Sequence, residues 1–331
     1  MDDEPLHEGA MLRLTISALV ASAAVVSWAC SSTTPECRVG ADCASGVCDS
    51  SGSCSPVSGG RGDGGGDARV GGPDGRTPGH EAAVGVDTGS PVQVGDSGVC
   101  VPDNNGVIEP SEYVMLAGLH ANYEFADNVT VDTAGVANSD GSRTWDLTGP
   151  YAGDHTVFVT TNAPTGQWFS SNYPGATYTT PLSDTSNLLG IFQGTGSTLL
   201  LQGVASPGSG NGETELTYAP PADFITVPMK MGSTWTSKSN VTGLAEGLVA
   251  NYVEQYTSKV DAYGSIKVPY GTFSVLEVQT TLVRTMLGVT TTVQSLSYVA
   301  ECFGPVASAT SQSNETDTHF TNAAEVRRLT P

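Results

Sequence analysis

"AYGSIKVPYGTFSVLEVQTTLVR", residues 262–284, decides the fold class. Ile266, Val268, Phe273, Val275 and Val278 are β-formers, Gly264 and Gly271 supply turns, and no helix punctuation interrupts the run. The stretch predicts a strand over 265–269, a hairpin through Gly271, and a second strand over 273–285. The same texture extends outward: strands are expected at 123–132, 155–161, 188–193, 198–204, 234–241, 249–263 and 290–303. Helix signals are weak; the best is 110–116, with Pro110 in a first turn and Glu112 near the positive end of the dipole. Many short strands without intervening helices predict an all-β antiparallel meander, forming a curved sheet or a partly closed barrel behind a disordered N-terminal region.

The 331 residues hold 13 Lys+Arg against 34 Asp+Glu, a formal net charge of -21. So few cations cannot displace counterions from phosphates, which excludes nucleic acid as a partner. Only 14% of residues are charged while Gly, Ser and Thr abound, as in exported β proteins.

Residues 1–29 read as a signal peptide. One cation at Arg13 precedes an uncharged apolar run and then small residues before Cys30, and translation is expected to start at Met11 because the preceding decapeptide is acidic. Four cysteines, Cys37, Cys43, Cys48 and Cys54, follow in a tract too polar to form a core, so disulfides must hold it; zinc is the rival reading, but its ligand pairs are usually closer in sequence. The tract up to residue 54 thus reads as a disulfide knot, which with the lipid anchor that the resemblance below implies makes up 30–54, and 55–98 as a Gly-rich flexible tether in which the Arg61–Asp63 tripeptide reads as chance. Cys100 and Cys302 are left at the two ends of the folded region, 99–331. If they pair, they close a loop of about 200 residues and stabilise it by at most about 5 kcal/mol.

Three resemblances sit on these residues. "SWAC" resembles the lipobox of bacterial lipoproteins, although Ser27 stands where Leu is usual; it implies acylation of Cys30 and a membrane partner reached through that lipid. The knot is similar to the cysteine-rich modules that follow the anchor in predicted Gram-negative envelope lipoproteins. Gly232-x-x-Trp235, Pro269-x-Gly271-x-Phe273 and Gly304-x-Val306 resemble motifs of exported β-meander proteins of those envelopes. That likeness covers about 80 residues and implies a curved sheet with no catalytic set.

No nucleophile elbow, zinc-protease, phosphate-loop or dinucleotide motif is present. His120, His155 and His319 each stand alone in their segments. The aromatic stretch at 167–178 reads first as a loop whose rings pack on the sheet and second as a stacking surface, and Trp145, Trp168 and Trp235 read as core.

"VPDNNGVIEPSEY", 101–113, resembles an EF-hand half loop. With Gly106 at the sixth position, Asp103, Asn105, the Val107 carbonyl, Glu109 and Glu112 fall on ligand positions; Val101 stands where the first carboxylate belongs. The first reading is a structural turn. The second is a weak calcium site, completed if a carboxylate from elsewhere fills the gap. No other cofactor is expected.

The sequence therefore predicts a lipid-anchored, non-enzymatic protein of the cell envelope, at the outer membrane or secreted. Its β domain would act as a binding or structural module for an envelope protein. The alternatives are a carrier holding lipid or another apolar ligand in the concave face, and a secreted hydrolase.

Overall fold

The structure, a computed structural model, describes residues 93–94 and 98–331. The segments read as signal peptide, lipid anchor at Cys30 and cysteine knot, and most of the segment read as tether, lie outside the described residues. Strands β1 (Gln93–Val94) and β2 (Gly98–Val99) form a small antiparallel pair across the end of the stretch read as tether and the first residue of the domain. Then follow β3 (Val107–Ile108), β4 (His120–Thr130), β5 (Val136–Ala137), β6 (Arg143–Asp146), β7 (His155–Thr160), β8 (Tyr178–Pro181), β9 (Leu189–Gly194), β10 (Thr198–Ala205), β11 (Glu215–Thr226) and β12 (Met229–Lys230). The long hairpins come last: β13 (Thr234–Ala245), β14 (Leu248–Val268), β15 (Gly271–Met286), β16 (Val289–Ala300), β17 (Gly304–Ser311) and β18 (Asn322–Thr330).

Twelve strands run in one antiparallel path, β7-β4-β18-β17-β16-β15-β14-β13-β11-β10-β9-β8. Its two end strands meet just past β7 through one bridge, where Asn162 and Thr179 each donate a backbone N–H to the other's carbonyl at 2.8 Å. The sheet is therefore a nearly closed barrel, all-β as expected, and the bridge leaves little open edge for aberrant pairing.

Two local expectations are corrected. Gly264 does not break the chain: β14 runs through it for 21 residues. A glycine is needed there because β6 pairs in parallel with Gly264–Lys267, and a Cβ at 264 would overlap the Arg143 carbonyl oxygen. The helix expected at 110–116 is instead a tight turn, Glu112 N–H to Glu109 C=O at 2.9 Å, followed by extended chain. Tyr113 and Met115 are buried while Leu116 is exposed, so the segment gains more by laying alternate side chains on the sheet than a seven-residue helix could.

Register assigns the two faces of the sheet. Leu276 and Val278 on β15, with Val299 opposite Leu276, point inward and join Ile108, Tyr113 and Met115 of the leading segment in one core. Val275 points outward, toward a second core in which Trp145, Leu147 and Phe320 lie on Leu296, Tyr298 and Val326. Trp145 is fully buried, as read from sequence; its Nε1–H donates to the Thr133 carbonyl at 3.2 Å and its ring meets Tyr298 edge-on at 5.1 Å. The aromatic stretch makes a third, smaller cluster of Phe169 and Tyr173 against Ile191 and Ala205. Trp168 donates to the Ser206 carbonyl and Tyr173 to the Leu216 carbonyl, both at 2.9 Å, so this stretch is a covered loop packed on the sheet.

Candidate cation site at the barrel rim

Cys100 is bonded to Cys302, with Cα atoms 5.6 Å apart and 202 positions between them in sequence. This bond sets the start of the leading segment against the β16–β17 turn. Just beyond it, a ladder of side-chain acceptors winds the chain. Asp103 accepts from the Asn105 backbone N–H at 3.0 Å and from its side-chain amide at 2.8 Å, and Asn105 Oδ1 accepts from the Val107 N–H at 2.7 Å. Gly106 has φ +82°, a left-handed value that a side chain disfavours, and a Cβ there would meet nothing. Val107 and Ile108 then pair with β12. Glu112 Oε2 accepts from the Glu109 N–H at 2.9 Å, and the Glu112 carbonyl accepts from the Cys302 N–H at 2.8 Å.

Of the residues expected as ligands, the structure brings Asp103 and Glu112 together and adds Glu301, with one carboxylate oxygen of each within 4.8 Å of the others. Glu109 is not in that group, and both faces of the Asn105 amide are engaged within the loop. Glu301 is the residue that sequence reading missed. A signal existed: Glu301 directly precedes Cys302 and Cys100 directly precedes the loop, so the disulfide brings Glu301 to the loop. Glu301 accepts from the Asn104 N–H at 2.7 Å. Burial pushes its carboxyl above the usual 4.5; that N–H opposes the rise, and the charges of Glu112 and Asp103 add to it. A divalent cation would relieve the crowding with hard oxygen ligands. Equally, each of the three carboxylates already caps a backbone N–H, so the loop is self-consistent as a turn.

No family of known proteins matches the sequence, and no curated protein matches it. Among solved structures, the chain is similar to a Bacteroides fragilis protein assigned as exported, with a YmcC-like fold: 11% identity, 65% of this chain and 96% of that one, and a TM-score of 0.30. A likeness this distant carries no argument about location, activity or ligand.

Two histidines expected to stand alone have carboxylate partners. His155 Nε2 meets Asp184, its Nδ1 lies 2.9 Å from the Gly153 carbonyl, and these contacts, the carbonyl first, raise its pKa above 6.5. His319 Nε2 lies 2.9 Å from Glu277 Oε1, which raises its pKa too. His120 sits beside Phe158, ring centroids 5.3 Å apart. Among the described residues, no helix is long and apolar enough to cross a membrane.

Proposed function

We propose that the protein is a lipid-anchored, non-enzymatic component of the cell envelope, tethered at the outer membrane through Cys30, whose barrel serves as a binding or structural module for an envelope partner. The observation that carries this reading is the Cys100–Cys302 disulfide, which locks onto the barrel a leading segment whose Ile108, Tyr113 and Met115 pack in the inner core. A disulfide suits an oxidising compartment, and the signal peptide and lipobox-like "SWAC" agree with that placement. The inner face supports a module over a lipid carrier because Ile108, Tyr113 and Met115 occupy the surface where an acyl chain would lie. A cavity of about 340 Å³ remains beside the rim. Its lining sets the amides of Asn104 and Asn105 and the carboxylate of Glu301 beside the apolar Ile108, Leu276 and Val299. Mass spectrometry of the native protein tests anchor and passenger together: one diacyl- or triacyl-modified chain beginning at Cys30, with no second molecule bound.

The rim favours a secondary reading, weak calcium binding that tightens the leading segment. Extracellular calcium modules have dissociation constants of roughly 0.1–1 mM. At about 10 mM calcium, such a site would stabilise the fold by about 1.4–2.7 kcal/mol. The expected rise in melting temperature is about 3–10 °C, and Glu301→Gln should abolish it. No shift in the unmodified protein reduces the loop to a turn.

A further inference from the structure

Asp261 stands where the register of β14 with β15 slips: Val260 pairs with Val278 and Ala262 with Glu277, leaving Asp261 opposite no residue. A bulge of this kind re-aims the extra side chain, and here the Asp261 carboxylate lies beside that of Glu277. A third arm comes from the β17–β18 connection. His319 directly precedes Phe320, which is 1% exposed and whose carbonyl accepts from Thr133 Oγ1 at 2.6 Å, so the imidazole hangs from a fixed point of the outer core.

One donor atom from each of the three side chains lies within 4.8 Å of the other two. Glu277 is 0% exposed; its Oε1 faces His319 Nε2, but Oε2 is buried with no hydrogen-bond partner. Tyr298, directly opposite Glu277 on β16, does not serve it, since its hydroxyl donates to the Thr133 carbonyl. A buried carboxylate oxygen left without a partner is expensive and calls for an explanation. From this geometry we propose that Asp261, Glu277 and His319 form a binding site for a divalent transition ion of the zinc class.

One imidazole nitrogen with two carboxylates is a donor set suited to zinc, whereas calcium and magnesium favour oxygen alone. Zinc bonds of about 2.0–2.2 Å place tetrahedral donors roughly 3.3 Å apart, so these three side chains enclose such an ion after small shifts. Two carboxylates balance its charge. The side chains of His319 and Asp261 are 22% and 27% exposed, which gives the ion a route in and leaves a fourth position for water. Two cations lie nearby. Lys259 pairs with Asp261 but is half exposed and free to swing away, while Arg143 is held by the Ala134 carbonyl at 2.6 Å.

The test uses the full-length oxidised chain, stripped with a chelator and titrated with zinc by calorimetry, and with cobalt(II) by its visible absorption. The unmodified protein is expected to bind zinc at micromolar concentrations, and cobalt to give the intense bands of a four- or five-coordinate ion. His319→Ala and Asp261→Asn should each weaken this binding by about 100-fold or more, while Glu301→Gln at the rim leaves it unchanged. If His319→Ala fails to fold, the partly exposed Asp261→Asn decides. Absence of zinc binding at millimolar concentration overturns the proposal. So does binding that both variants retain, which would place the ion elsewhere.

Discussion

Replacing both rim cysteines, Cys100→Ser with Cys302→Ser, is expected to lower stability by up to about 5 kcal/mol. The bond closes a loop of 202 positions, and loop-closure entropy for that length sets the figure as an upper bound. In a domain of this size, 1 kcal/mol moves the melting temperature by about 2–4 °C, so the fall should reach about 10–20 °C if the whole entropic term is realised. The loss should also be local before it is global. The disulfide joins a segment whose Ile108, Tyr113 and Met115 complete the inner core, with Glu112 C=O receiving the Cys302 N–H. Without the bond, that segment should open first, and limited proteolysis should cut between 100 and 119 before the barrel unfolds. A double variant that melts within about 2 °C of the parent and resists cleavage would show that packing alone holds the segment.

Arg328→Met should be comparably damaging. Arg328 is 0% exposed on the outer face, stacked 4.6 Å from the Tyr151 ring centroid, with Nη2 paired to Asp154 and Nη1 donating to the Leu147 carbonyl at 3.4 Å. Gly149 lies where any Cβ would come within 2.5 Å of Nη1. Methionine retains much of the volume but leaves Asp154 charged beside apolar surface. Breaking a buried pair from one side costs about 3–5 kcal/mol; because the Asp154 side chain is 19% exposed, the lower end is expected. Chemical denaturation of Arg328→Met, Asp154→Asn and the double variant checks this. The double variant should regain much of the loss, since it removes the stranded charge. Additive losses would mean that Arg328 acts through packing on Tyr151 and not through Asp154.

The all-β class was legible because β-branched residues and turn glycines alternate through 249–303, and the ends of β7, β9, β10, β15 and β16 fall within three residues of expectation. The elements that were missed lack those signals for physical reasons. β11 contains Pro220 and Pro221, which read as strand breakers; they fit because β10 pairs with Thr217 and with Ala222 but skips the residues between. β17 is built of small residues, "GPVASATS", and β18, "NAAEVRRLT", carries two alanines and three charged side chains, so neither shows the β-branched pattern of a strand, and packing on the outer core overrides propensity. β6 is a four-residue parallel strand placed by Gly264, a contact no local pattern reveals. For the rim, the turn chemistry of Asp103, Asn105, Gly106 and Glu112 was readable locally, whereas Glu301 arrives across the disulfide. Asp261, Glu277 and His319 escaped notice because a bulge and a distant connection bring them together.

Intact-mass spectrometry of the protein, extracted gently from the membranes of its host, tests the proposed function most directly. The account predicts a chain that begins at Cys30, carries the mass of covalent acyl groups, and releases no apolar molecule when it is unfolded in the spectrometer. A chain recovered without acylation from the soluble fraction, or one that releases a lipid in one-to-one ratio, would contradict it.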